Sequence, residues 1–293
     1  MDTKQNRTSL WILAILILAN YFIWQTVAYY SDSQLHIYFL NVGQGDAILI
    51  RTPDHKNILV DGGPDDTVVQ ELGKVLPIWD RHIDLMVLTH PQADHVTGLL
   101  AVLKRFKVKE ILATFVDYPT KTNEEWKRIT MSGEYIITWA NASTDYYFDE
   151  VLFDTLYPIE LPTGDEVEDV NETSIVAQII YKDHKILLTG DAGFDVEQEL
   201  IEYYPDIQSD ILKVGHHGSR YASSEEFLSI VQPEIAVIQV GENSYGHPAQ
   251  DTLDRLEAIG ADIYRTDIDD TIEVILDKEY QVKMYGQKEL HQE

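Results

Sequence analysis

The sequence predicts an α/β layered domain carried behind one N-terminal transmembrane helix. Three observations predict it: an uncharged apolar run near the N-terminus, strand-like apolar segments alternating with helical ones beyond it, and two stretches that repeat one pattern. The run covers residues 10–30 and is long enough to cross a bilayer. Trp11 at one end and Trp24, Tyr29 and Tyr30 at the other are placed as interfacial aromatic belts are. Lys4 and Arg7 precede the run, and no basic residue follows before Arg51. The positive-inside rule therefore makes residues 1–9 a short cytoplasmic segment and puts the rest outside the cell membrane as a single-pass protein. The rival reading is a cleaved signal sequence ending at Thr26-Val27-Ala28, which would leave the protein secreted.

Residues 34–285 read as the folded domain. Residues 35–40, 47–51 and 57–60 form three opening strands, residues 68–76 a helix, and Ile83-Asp84-Leu85-Met86-Val87-Leu88 a buried strand. A second helix is expected over 97–106. Ala47-Ile48-Leu49-Ile50, Asp54-His55-Lys56 and Ile58-Leu59-Val60-Asp61 have the pattern of Ser174-Ile175-Val176-Ala177, Asp183-His184-Lys185 and Ile186-Leu187-Leu188-Thr189. Each reads as a hairpin ending near an acidic-glycine pair, so two similar halves are expected to pack sheet against sheet with one site along their shared edge. Residues 117–170 are less regular, and the acidic run 164–169 reads as a solvated loop.

The formal charge is −28. Lys4 and Arg7 offset Asp2 and Asp32, so the deficit lies beyond residue 33. A field of that sign repels polyanions and argues against tight, sequence-independent nucleic-acid binding, although a bound divalent ion reverses the sign locally. There is no cysteine, which removes disulfides, thiol nucleophiles and thiolate ligands. No stable protein partner is evident.

The chemistry is concentrated in Thr89-His90-Pro91-Gln92-Ala93-Asp94-His95, directly after the buried strand. Two imidazoles and a carboxylate at a strand's C-terminal end suit Zn, Mn or Fe rather than Ca. Asp191, in Thr189-Gly190-Asp191, also ends a strand-like run. His216-His217-Gly218-Ser219 follows Ile211-Leu212-Lys213-Val214, and on an extended segment the two histidines would face opposite ways unless the glycines bend the chain. His36, His55, His82 and His184 lack partners nearby in sequence and read as surface or turn residues.

His90-x-Gln92-x-Asp94-His95 resembles the metal signature of the metallo-β-lactamase-fold hydrolases, and more narrowly its version in the C-terminal domain of the competence protein family ComEC. Asn41-Val42-Gly43-Gln44-Gly45-Asp46, Asp61-Gly62-Gly63, Thr189-Gly190-Asp191, Lys213-Val214-Gly215-His216-His217-Gly218-Ser219 and Tyr245-Gly246-His247-Pro248 continue the match in order. The multi-spanning channel of that family is not in this chain. The resemblance implies a four-layer αββα sandwich and one or two divalent transition metals, Zn or Mn. It implies His90 as a ligand of the first metal and Asp191 as the carboxylate bridging both. Asp94 and His95 either bind a second metal or orient the attacking water. At least one of His216 and His217 ligates. His247 is either a last ligand or a hydrogen-bond donor to the leaving oxygen, so Asp94 and His247 are the candidate catalytic groups. Asp46, at the floor of the site or capping a turn, joins Asn171, Ser174, Ser219 and Tyr245 as candidates for contacting substrate or supporting the ligands. Gln92 departs from the pattern, because the family has histidine or aspartate there and a neutral amide is a weaker ligand. Either a later histidine compensates, or one ion is firmly held, or activity is lost.

The function implied is an exported, membrane-anchored metal-dependent hydrolase of phosphodiesters, with DNA as first candidate. Two alternatives stand beside it. One is a phosphorylcholine-esterase-like enzyme acting on cell-envelope phosphodiesters. The other is a catalytically silent surface or competence-accessory binding protein. Gln92 and the HHGS segment point away from a β-lactamase.

Overall fold

A computed structural model describes residues 2–285 apart from 163, 165, 166 and 168, and residues 2–9 by their backbone. The chain opens with helix α1 (Asp2–Ser31), of which residues Leu10–Ser31 are long and apolar enough to cross a membrane and none is buried in the protein interior. The first half follows: strands β1 (Leu35–Phe39), β2 (Ile48–Arg51) and β3 (Asn57–Val60), helix α2 (Thr67–Val75), β4 (His82–Leu88), α3 (Ala93–Leu103), β5 (Lys107–Ala113), α4 (Lys121–Thr130) and β6 (Ile136–Trp139). The second half comprises β7 (Tyr146–Phe148), β8 (Val151–Tyr157), β9 (Val176–Tyr181), β10 (His184–Leu188), α5 (Phe194–Tyr203), β11 (Ile211–Lys213), α6 (Glu225–Val231), β12 (Ile235–Ile238), α7 (Gln250–Ala258) and β13 (Asp262–Arg265). After α8 (Thr266–Asp269), strands β14 (Ile272–Leu276) and β15 (Tyr280–Met284) return to the first sheet.

The two sheets run β15-β14-β1-β2-β3-β4-β5-β6 and β13-β12-β11-β10-β9-β8-β7. Their strands are apolar on both faces because both faces are covered. Leu35, Ile37 and Phe39 of β1 and Leu85 and Val87 of β4 point into the core between the sheets, against Ile179, Ile186 and Ile211 of the second sheet. The alternate residues Tyr38, Leu49, Met86 and Leu88 pack beneath α2, α3 and α4. Leu187, Leu212 and Ala236 do the same for α5, α6 and α7. The result is the expected four-layer αββα sandwich.

The repeated pattern is a real duplication of form. β2 and β3 make an antiparallel hairpin whose second strand is followed, through α2, by the parallel strand β4; β9, β10, α5 and β11 do the same. Asp61 and Asp191 leave the ends of β3 and β10, the equivalent second hairpin strands.

Three expectations need correction. Helix α3 starts at Ala93, not at residue 97, because Gln92 takes extended dihedral angles (φ −76°, ψ 155°) and its carbonyl accepts the Val96 amide at 2.9 Å. Asp94 and His95 thereby ride on the helix's first turn. The segment 117–170 carries α4 and the strands β6 to β8, with the Thr120 side chain capping α4; residues 165, 166 and 168 of the acidic run lie outside the described residues. His36 is buried in β1, its Nδ1 2.8 Å from Glu273 Oε1 and its Nε2 2.8 Å from Asp32 Oδ2, an ion-paired core group rather than a surface one.

Candidate metal centre

The site forms where both halves end their parallel strands, as open α/β sheets place theirs. From the first half, the turn after β3 presents Asp61, and the turn after β4 presents Thr89 and His90. Asp61 accepts hydrogen bonds from the Thr89 amide (2.9 Å), the Thr89 hydroxyl (2.6 Å) and His95 Nδ1 (2.8 Å). The α3 N-terminus approaches so closely that a Cβ on Gly98 would sit 1.8 Å from the Gly62 carbonyl oxygen. Close packing of this turn and helix fixes the His95 ring.

From the second half come Asp191 and the histidine pair. Ser174 links the halves, since its hydroxyl oxygen accepts the Asp191 amide at 3.1 Å and lies 3.2 Å from His90 Nδ1. The Gly215–Gly218 segment is a tight turn rather than an extended one. His216 (φ 47°, ψ 49°) and His217 (φ 52°, ψ 28°) both take left-handed conformations, each costing about 1–2 kcal/mol for a residue with a Cβ. The chain bends here, the alternative the flanking glycines left open, and the curl brings both imidazoles toward Asp191. His217 Nε2 lies 3.5 Å from both Asp94 Oδ2 and Asp191 Oδ2, and His216 Nε2 lies 4.0 Å from Asp191 Oδ2. His217 Nδ1 is 2.9 Å from the Gln239 carbonyl oxygen, which leaves Nε2 as its free nitrogen.

Two groups that sequence reasoning quoted without giving them a role complete the support. Asp61 orients His95. Lys213, wholly buried on β11, ion-pairs with Asp46, donates to the Gly190 carbonyl at 2.8 Å and lies 3.8 Å from Asp191 Oδ1. A lysine amid the apolar run Ile211-Leu212-Lys213-Val214 was the available signal, because a buried ammonium needs a counterion.

The donor set fits a divalent transition metal. His90 Nε2, His95 Nε2, His217 Nε2 and both Asp191 oxygens are buried with no hydrogen-bond partner, an arrangement costly for each group unless a cation meets them. Ligand atoms of His90, His95 and Asp191 lie within 4.8 Å of one another, as do those of Asp94, His95 and His217, and of Asp46, Asp191 and His217. Asp46 and Asp61 also reach His95, but their contacts to Lys213 and Thr89 make them supports.

Charge in the cluster follows its packing. Burial pushes the His90 imidazole down to about 3, with the charge on His95 adding to the effect, so His90 is neutral and has a lone pair to give. Burial opposes charge on His217, but Asp191 and Asp46 outweigh it and raise the imidazole to about 10. Burial also opposes charge on Asp94, where the adjacent His217 imidazole and the charge of His95 hold the carboxyl at about 2. The Asp191 carboxyl lies well below its usual range: burial works against ionisation, and the charges of His217 and His95 prevail.

Above the cluster lies a cavity of about 590 Å³, whose wall includes Gln92, Asp94, Asn171, His216, Tyr245 and His247. Gln92 Nε2 donates to Asn171 Oδ1 at 2.7 Å, so its amide braces the wall, and the His90, His95 and Asp191 group assembles without it. The His247 ring centroid is 5.5 Å from that of His216; burial and that neighbour bring His247 down to about 4. Tyr245 is 75 % exposed at the rim. Ser219 is buried and does not line the cavity; its hydroxyl oxygen accepts the Tyr221 amide at 3.3 Å.

Residues 40–242 match the family model described as the metallo-beta-lactamase superfamily. ComE operon protein 3 of Bacillus subtilis is 29% identical over 83% of this chain and 33% of its own length; competence protein ComA of Neisseria gonorrhoeae is 29% identical over 87% and 34%. The chain thus spans about a third of the length of these curated relatives. Among solved structures, the metallo-beta-lactamase fold protein YhfI from Bacillus subtilis superposes with a TM-score of 0.57 at 12% identity, covering 82% of this chain and 99% of that one.

Proposed function

We propose that this chain, which belongs to the metallo-beta-lactamase superfamily, is a membrane-anchored phosphodiesterase that works outside the cell with bound Zn or Mn. The observation that carries the reading is the convergence of His90, His95, His217 and Asp191, with unpartnered ligating atoms, at the base of an open cavity. His90, His95 and Asp191 would hold one ion, and Asp94 and His217, which lie beside Asp191, would hold a second. When bound, such ions supply Lewis acidity to a phosphoryl oxygen and a water of lowered pKa.

The chain's own groups do the rest. Asp94, kept ionised and 28% exposed to the cavity, accepts a hydrogen bond and so aims a water. His247, neutral at pH 7, donates one N–H toward the leaving oxygen. Gln92 and Asn171 shape the wall against which the substrate lies.

DNA is the first substrate, supported by the competence relatives. A second reading, a phosphorylcholine-type, zwitterionic phosphodiester of the cell envelope, is favoured by one observation: no lysine or arginine is among the described residues lining the cavity. In the domain layout proposed, residues 1–9 are cytoplasmic, 10–30 are the anchor and 34–285 the hydrolase. A cleaved 10–30 segment would make the same enzyme secreted.

The test uses purified full chain in detergent, loaded with Zn or Mn, against end-labelled single-stranded DNA and p-nitrophenylphosphorylcholine. Cleavage of the DNA supports the first reading, and hydrolysis of the phosphorylcholine ester alone supports the second. Full metal occupancy with neither cleaved would indicate a silent binding protein.

A further inference from the structure

Helix α1 does not hang free of the domain; its C-terminal end is clamped by two loops. Tyr29 donates its hydroxyl to Asp80 Oδ2 at 2.5 Å, and the Arg51 guanidinium lies 4.9 Å from the Tyr29 ring centroid. His55 packs 5.3 Å from Tyr29 and 5.2 Å from Tyr30, and Asp32 pairs with both Arg51 and His36. The second loop reaches further along the helix. Trp79 meets Phe22 edge to face at 6.4 Å between centroids, while Ile78 beside it is 70% exposed and Trp79 37%.

Phe22 lies seven residues before Tyr29, about 10 Å along the helix axis, and two residues, about 3 Å, beyond Trp24 on the membrane side. If Trp24, Tyr29 and Tyr30 mark the interface, a side chain on Phe22 is already among lipid tails. An isoleucine and a tryptophan exposed at that level, continuous with the apolar surface of α1, have a bilayer as their matching partner.

We propose that the loop 76–79 is a second membrane contact, in which Ile78 and Trp79 enter the outer leaflet beside α1 and hold the domain in one orientation. The inference rests on α1 spanning the membrane. Its consequence for function follows from topology. The clamp grips the first residues of β3 and β4, where Asn57 Nδ2 donates to Asp80 Oδ2 and to the His82 carbonyl, both at 3.0 Å. The metal cluster sits at the far ends of the same strands, seven residues of β4 or about 23 Å away. The cavity therefore opens away from the bilayer, out of reach of headgroups in that leaflet. The substrate is a phosphodiester presented from outside, such as DNA or a wall polymer, and not a lipid of the same membrane.

The chain has no cysteine, so single cysteines can be introduced and labelled with an environment-sensitive nitrobenzoxadiazole dye in the full-length protein. Ile17→Cys, Ile78→Cys and Tyr245→Cys are reconstituted in phosphatidylcholine and phosphatidylglycerol vesicles with and without doxyl-labelled lipid. Labels at 17 and 78 are expected to emit in the blue and lose most of their intensity to the quencher, and the label at 245 to keep it. A label at 78 that behaves like the one at 245, while 17 is quenched, overturns the loop contact and leaves the anchor standing. A label at 17 that escapes quenching overturns the anchor and the loop contact together. Quenching at 245 overturns the outward orientation of the cavity.

Discussion

His95 Nδ1 and Asp61 Oδ2 are 2.8 Å apart, both side chains are buried, and the contact turns the free Nε2 of His95 toward Asp191 at 3.4 Å. Asp61 is itself fixed by the Thr89 amide and hydroxyl, so His95 is set by a chain of hydrogen bonds that begins in the backbone of β4's end. Partners of this kind fix both the tautomer and the basicity of a ligating imidazole. Asp61→Asn is expected to weaken Zn or Mn affinity by about 10–100-fold with the fold retained. Chelator competition on the folded variant checks this; unchanged affinity would remove Asp61 from the ligand support.

Lys213 and Asp46 form a buried ion pair, with Asp191 3.8 Å from the ammonium and His217 Nδ1 3.3 Å from the Asp46 carboxylate. Lys213→Met leaves Asp46 buried beside Asp191 without its ammonium. A loss of about 3–5 kcal/mol is expected in metal-free denaturant unfolding. Saturating divalent metal should recover part of it, because an ion bound only by the folded state stabilises that state. Equal stability of variant and parent without metal would contradict the account.

Gly98→Ala places a methyl group on the Gly62 carbonyl oxygen. Helix α3 must move off the turn after β3, carrying Asp94 and His95 with it. The expected result is a stability loss of about 1–3 kcal/mol and weaker metal binding, read together by thermal unfolding with and without Mn.

Gln92→Ala removes the donor to Asn171 from the cavity wall. Metal content should stay at the parental value while KM for a phosphodiester rises several-fold and kcat changes less. Loss of metal in this variant would instead make the amide a ligand.

The strands were legible because both faces of each central strand are covered, so their sequences are unbroken apolar runs such as that of β4. The candidate ligands could be picked out because strand ends in this architecture carry the chemistry, and His90, Asp94, His95 and Asp191 all follow such runs. The start of α3 was hidden, since glutamine is a weak N-cap and offers no side-chain cap here. The curl of His216 and His217 could not be read locally: two left-handed histidines are intrinsically unfavourable and persist through tertiary contacts, the His216 amide to Gly190 and His217 Nδ1 to Gln239. Lys213 and His36 shared one overlooked signal, a basic group inside an apolar strand.

The most direct test of the metal-dependent site is hydrolysis of bis(p-nitrophenyl) phosphate by metal-free full-length protein titrated with Mn or Zn, with bound metal counted in the same samples. Activity should be absent at the start, rise with occupancy and saturate at one or two ions per chain. Asp191→Ala should bind little metal and stay inactive throughout. Full occupancy without hydrolysis, or an Asp191→Ala variant that binds metal and hydrolyses as the parent does, would contradict the account.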